Sequence, residues 1–234
     1  MKSLITSKIK VIAFDADDTL WENEQYFRET EARFCSLLED FMPAHSINRE
    51  LYAIEIKNLF WYGYGIKSFM LSMIETAIKV SDGKIGVLAI DRIMQLGNEL
   101  LAKPVLLLEG VEETLKTIEG KFKLVVATKG DLLDQERKLE KSGLAKYFHH
   151  VEIVSEKRES DYKKLLKHLD VLPEEFLMVG NSIKSDILPV LNLGAFGFHI
   201  PYHITWEHEK IDIEIDNPNF RELQSIREVA EILL

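Results

Sequence analysis

The stretch Ile9-Lys10-Val11-Ile12-Ala13-Phe14-Asp15-Ala16-Asp17-Asp18-Thr19 changes character halfway along. Residues 9 to 15 are a short apolar run ending in acid, the pattern of a strand buried on both faces of a parallel sheet. Three carboxylates and a hydroxyl follow where that strand has to stop. In an open parallel sheet, ligands bind outside the carboxyl ends of the strands. The stretch therefore predicts both a fold and a place to look for chemistry.

Outward from it, the chain has two textures. From about Asn23 to Lys103 the apolar residues recur at helical spacing. Helices are predicted around Tyr26 to Phe41 (ended by Pro43), Ile54 to Phe60, Ile66 to Val80 and Ile85 to Leu101, with breaks at Gly63, Gly65 and Ser81-Asp82-Gly83. After Pro104 strands and helices alternate. Strands are predicted at Phe122 to Ala127, Val151 to Val154, Phe176 to Val179 and Phe196 to Ile200. Helices are predicted at Asp131 to Ser142, Asp161 to Leu169 and Ile183 to Leu193, and the tail from Glu222 to Leu234 reads as a short strand and a closing helix. Such alternation argues for a parallel sheet covered by helices. The expectation is an α/β, doubly wound, Rossmann-like core from residues 1–20 and 105–234, with residues 21–104 inserted as a helical second domain.

Polar residues stand just after each predicted strand. Asp15, Asp17, Asp18 and Thr19 follow the first. Thr128, Lys129, Gly130 and Asp131 follow the Phe122 strand, and Ser155, Glu156 and Lys157 the Val151 strand. Gly180, Asn181, Ser182 and then Asp186 follow the Phe176 strand. A single aspartate after a strand is often only a cap or turn former. Four strand ends carrying acidic, hydroxyl, cationic and amide groups are a stronger signal.

These four sites resemble the motifs of the haloacid dehalogenase superfamily, and the resemblance covers nearly the whole chain. Phe14-Asp15-Ala16-Asp17-Asp18-Thr19 is similar to its Asp-x-Asp-x-Thr motif, Thr128 to the second motif and Lys157 to the third. Gly180-Asn181-Ser182-Ile183-Lys184-Ser185-Asp186 is similar to the fourth. The resemblance implies Asp15 as nucleophile and Asp17 as the acid that protonates the leaving group. It also implies Mg2+ held by Asp15, the backbone carbonyl of Asp17 and Asp186, and an insert that closes over the site as a cap. Thr128, Lys129 and Lys157 would hold phosphoryl oxygens. That chemistry is coherent: a carboxylate can form an acyl phosphate, splitting one hard step into two. Two adjacent carboxylates resist joint ionisation, which raises one pKa. Magnesium takes oxygen ligands. Two departures stand out. Asp18 occupies a place where glycine is common, and it is expected to turn away as a cap of the next helix. Asn181 stands where an acid is common; it removes one negative charge and can still hydrogen-bond a metal-bound water.

Composition bounds the rest. A net charge of -10 over 234 residues disfavours a nucleic-acid partner, and no apolar run approaches the ~18 residues of a membrane span. Met1 to Ile5 lacks the apolar core of a signal peptide. One cysteine, Cys35, excludes a disulfide within the chain and reads as a small buried residue. A cytoplasmic protein acting on a small phosphorylated molecule is expected, of unknown oligomeric state. His199, His203 and His208 invite a zinc reading, but no regular helix places them on one face. Trp61-Tyr62-Gly63-Tyr64-Gly65 is an aromatic loop that either lines the substrate mouth or packs the insert. A metal-dependent phosphatase leads; a phosphomutase, a haloacid dehalogenase and a non-catalytic binding protein are the alternatives.

Overall fold

The computed structural model describes residues 8–234, so the reading of Met1 to Ile5 lies outside it. By contact density the chain separates into two compact units. One holds the segment ending at Glu22, then Val105–Lys129 and Gln135–Leu234; the other holds Asn23–Pro104 and Gly130–Asp134. The sequence division placed Gly130 to Asp134 with the sheet, but their contacts are with the helical unit. There Gly65 lies against Asp131, and the Lys67 ammonium pairs with the Asp131 carboxylate at 3.0 Å.

The first unit is a six-stranded parallel sheet: β1 (Val11–Phe14), β2 (Lys123–Lys129), β3 (His150–Val154), β4 (Phe176–Gly180), β5 (Phe196–His199) and β6 (Phe220–Glu222). Its order is β3-β2-β1-β4-β5-β6, the doubly wound arrangement the alternation predicts. The order reverses between β1 and β4, the place where ligands bind in sheets of this kind.

Strand periodicity builds the two faces. Ile12, Phe14, Leu124, Val126, Leu177 and Val179 point to one core, shared with Val111, Leu115 and Ile118 of α5 (Val111–Ile118) and Val229 of α9 (Arg227–Leu233). The alternate residues Val11, Ala13, Val125, Ala127, Phe176 and Met178 point to the other. It is shared with Tyr162, Leu165 and Leu166 of α7 (Glu159–Leu169) and Val190 of α8 (Leu188–Asn192). Burying each large apolar side chain contributes roughly 1.5–3 kcal/mol, and the central strands have no exposed face.

The second unit contains α1 (Glu24–Leu37), α2 (Ala44–Tyr62), α3 (Ile66–Val80) and α4 (Val87–Leu101). Phe34, Leu38, Ile47, Leu51, Met73, Ile93 and Leu96 form its own core. Cys35 is buried there; burial pushes its thiol up to about 11, which makes it unreactive at neutral pH. Trp61 stacks edge-on against Phe60 near the end of α2. Among the described residues no helix is long and apolar enough to cross a membrane.

Candidate active site

Strand order places the predicted residues. β1 lies between β2 and β4, so the residues that follow β1 and β4 meet at the switch point. The Asp15 N–H donates to the Val179 carbonyl at 2.9 Å, carrying the β1–β4 ladder one residue past the strand. Val126 is level with Phe14, so Thr128 and Lys129 project further toward the same end of the sheet.

Asp15, Lys157 and Asp186 form one buried cluster. The Lys157 ammonium, on the loop between β3 and α7, contacts Asp15 Oδ1 and donates to Asp186 Oδ1 at 2.6 Å. Lys157 is 6% exposed, Asp15 7% and Asp186 1%. Two carboxylates thus share one cation and leave a net negative charge. Asp15 Oδ2 accepts from the Thr19 hydroxyl at 3.0 Å, and the same hydroxyl lies 3.3 Å from Asn181 Oδ1. Asp186 Oδ2 accepts from the Ser182 N–H at 3.0 Å. Burial pushes Asp15 up to about 7; Lys157 opposes this, and Asp186 and Asp17 add to it. Burial alone would lower Lys157, but Asp15 and Asp186 more than offset it and hold the ammonium charged.

Gly180 makes the cluster possible. A Cβ there would stand 2.2 Å from Asp186 Oδ2. Only the bare backbone lets the Asp186 carboxylate fold back over the end of β4.

Asp17 has separate partners. Its Oδ1 accepts from Trp21 Nε1 and from the Lys138 ammonium, each at 2.7 Å, and its Oδ2 accepts from Gln135 Nε2 at 2.8 Å. Gln135 Nε2 also donates to the Lys129 carbonyl at 2.8 Å. Two acceptors on one end of the amide fix that end as the NH2. Gln135 Oε1 is then a buried acceptor that has no partner among the described residues. It stands beside Asp17, where a donor on a bound molecule would satisfy it.

Lys129 belongs to a third group. Its ammonium donates to Ser185 Oγ at 2.9 Å and pairs with Glu209 Oε1 at 2.5 Å. Glu209 Oε2 accepts from Ser182 Oγ at 2.6 Å and Ser185 Oγ at 2.5 Å. Burial would raise Glu209, but Lys129 and the two hydroxyls bring it down to about 2. Thr128 is buried, and its hydroxyl faces the Lys129 carbonyl at 3.3 Å.

Asp18 does not cap a helix. The next helix, α1, begins at Glu24 behind Asn23. Asp18 takes a left-handed backbone, φ 62°, and its N–H donates to the Trp21 carbonyl at 2.7 Å. Glycine adopts that conformation freely and aspartate tolerates it better than most residues, which explains the glycine common at this place. His199 is tied to the Asn181 carbonyl (3.0 Å) and to Glu222 (3.2 Å).

Sequence reasoning missed Gln135, Lys138 and Glu209. The first two lie three residues apart on α6 (Leu132–Ser142), one face of one helix, a spacing that was readable. Glu209 lies in a single 3-10 turn, Glu207–Glu209, where no periodicity points to it. The clustered donors Asp15 and Asp186 are oxygen atoms only. That set fits a hard dication such as Mg2+, and its net negative charge favours one.

A family model for haloacid dehalogenase-like hydrolases matches residues 9–194. The chain is similar to the crystal structure of a haloacid dehalogenase-like family hydrolase from Xanthomonas campestris. Identity is 38% and the TM-score 0.87, over 96% of this chain and 90% of that one. It is similar in fold to the magnesium-bound HAD-hydrolase YfnB of Bacillus subtilis, at 17% identity and TM-score 0.66, over 97% and 99% of the two chains. It is also similar in fold to a 2-haloacid dehalogenase of Pseudomonas syringae, at 20% and 0.62, over 96% and 98%. No curated protein matches the sequence.

Proposed function

The chain belongs to the haloacid dehalogenase-like hydrolase family, and on that premise we propose that it is a metal-dependent phosphatase acting on a small phosphorylated metabolite through an aspartyl-phosphate. The observation that carries this reading is the placement of Asp17 beside the Asp15 cluster. A departing halide needs no proton, whereas a departing alkoxide does. A carboxyl fixed beside the nucleophile by Trp21, Gln135 and Lys138 is placed to serve the second case.

In this reading Asp15 attacks phosphorus, forming an acyl phosphate as the bond to the leaving oxygen breaks. Asp17 gives that oxygen a proton, and in the second half-reaction takes one from the water that attacks phosphorus. Lys157 holds Asp15 in place through Oδ1 and supplies positive charge to phosphoryl oxygens. Thr128 and Lys129 are proposed to hold the remaining oxygens, Lys129 from its seat between Glu209 and Ser185. Asp15, the Asp17 carbonyl and Asp186 are proposed to hold Mg2+, with Asn181 outside them reaching a metal-bound water. The ion supplies charge neutralisation at the phosphoryl group. The YfnB structure carries magnesium, which supports that choice. The charge of -10 supports a small substrate over a nucleic acid or an anionic membrane.

The test uses an aryl phosphate with and without Mg2+, beside Asp15→Asn. Metal-dependent turnover is expected in the native chain, with a loss of at least about a thousandfold in the variant. Halide release from a 2-haloacid without phosphate release would overturn the phosphatase reading. Undiminished turnover in Asp15→Asn would remove Asp15 as nucleophile.

A further inference from the structure

Among the described residues, one group of three potential metal ligands stands apart from the candidate active site: His150, Glu152 and His168. None is a histidine that the spacing of the chain singles out. Their ligand atoms all lie within 4.8 Å of one another. His150 Nε2 and Glu152 Oε2 are 2.8 Å apart, and the rings of His150 and His168 lie 4.8 Å apart between centroids, tilted by 47°.

The fold explains the meeting. β3 is an edge strand, and residues two apart on a strand share a face. His150 is level with Val125 and Glu152 with Ala127. Val125 and Ala127 face the core that Tyr162, Leu165 and Leu166 of α7 cover. His150 and Glu152 therefore project to the α7 side. His168 lies three residues beyond Leu165 in the last turn of α7, which brings its ring over the pair. Both elements are regular and packed, so the donors are held by rigid backbone.

We propose that His150, Glu152 and His168 form a zinc site that clasps the end of α7 to the sheet edge. Two imidazoles and one carboxylate are a borderline donor set, suited to Zn2+ and poorly suited to Mg2+. Zinc–donor distances near 2.0–2.2 Å put tetrahedral donors about 3.3–3.5 Å apart. The present pair at 2.8 Å and the limit of 4.8 Å bracket that spacing, so side-chain rotation alone closes the site. Binding replaces the His150–Glu152 hydrogen bond with two metal bonds. Three protein donors leave a fourth position for water. The clasp ties β3 to α7, and the loop joining them carries Lys157; a zinc ion there stiffens the support of the buried ammonium from the opposite end of the β3–α7 pair.

The test is calorimetric titration of the full chain with Zn2+ in millimolar Mg2+, added to occupy the Mg2+ site proposed above, paired with thermal unfolding. One equivalent of zinc and a higher Tm are expected for the native chain. His168→Ala, an exposed position that leaves the core intact, should weaken binding by about tenfold or more and abolish the Tm rise. Glu152→Gln should weaken binding while preserving shape. No zinc uptake by the native chain, or equal uptake and equal Tm rise in His168→Ala, overturns the proposal.

Discussion

Asp15 and Asp186 compete for one ammonium, and the atom that settles whether Asp186 reaches it is one that Gly180 lacks. Gly180→Ala would press a Cβ to 2.2 Å from Asp186 Oδ2, so the carboxylate must leave Lys157. We expect a loss of roughly 1–3 kcal/mol in stability from overpacking and a fall in turnover of about a hundredfold from misplacement. Native turnover in the folded variant would show that the position of Asp186 does not matter. Glu209 sets a second balance. It is held at about 2 against an ordinary 4.5, so its ion pair stabilises the fold fully above 4.5 and loses that contribution as pH falls through 2. Glu209→Gln removes it. The Tm gap between native and variant should stay constant above pH 4.5 and close on acidification; a gap that is independent of pH would mean that the carboxylate's charge contributes nothing. Asp15, Lys157 and Asp186 were legible because each follows a strand. Glu209 was not, because a lone turn carries no period.

At the scale of elements, the helix predicted from Ile183 to Leu193 is a π-turn, Ile183–Ile187, followed by the short α8. Pro189 gives the reason. It has no N–H, so in an α register the Ser185 carbonyl lacks its partner four residues on. Tyr162 of α7 donates its hydroxyl to the same Ser185 carbonyl at 3.1 Å. The turn in turn carries Asp186, so a residue of α7 supports the geometry of the site. Tyr162→Phe removes that hydrogen bond and should cost about 0.5–1.5 kcal/mol, measured by denaturant unfolding. It should also lower turnover without touching any reacting group; unchanged stability would mean that the carbonyl finds another donor. The sheet was readable because every buried strand is an apolar run with polar residues at its end. α5 was missed because it has only eight residues, about two turns, too few to establish a helical period against noise. Strand order could not be read from the chain at all: it depends on which strands pair, and β1 resembles any other buried strand until β2 and β4 flank it.

For the molecule as a whole, an excess of acid makes the placement of single carboxyls decide how stability varies with pH. The helical unit holds such a group half-buried. Glu55 lies near Glu31, Glu24 and Arg28; burial pushes it up to about 8, the two glutamates push the same way, and Arg28 opposes them. Arg28 is already committed to Glu24 and Glu31, each at 2.9 Å, so it has little charge left to offer Glu55. The sign follows directly. Unfolded, Glu55 ionises near 4.5; folded, it keeps its proton until about 8. Between those values the native state binds more protons, so stability falls as pH rises through that window and levels off above it. Below 4.5 both states are protonated and the group contributes no slope. Glu55→Gln keeps the size of the side chain and removes the titration. Its Tm should match the native chain near pH 4.5, exceed it progressively up to pH 8, and run parallel to it beyond. Parallel curves across the whole range would show that Glu55 ionises in the folded chain as readily as in water, and that the unit accommodates the charge.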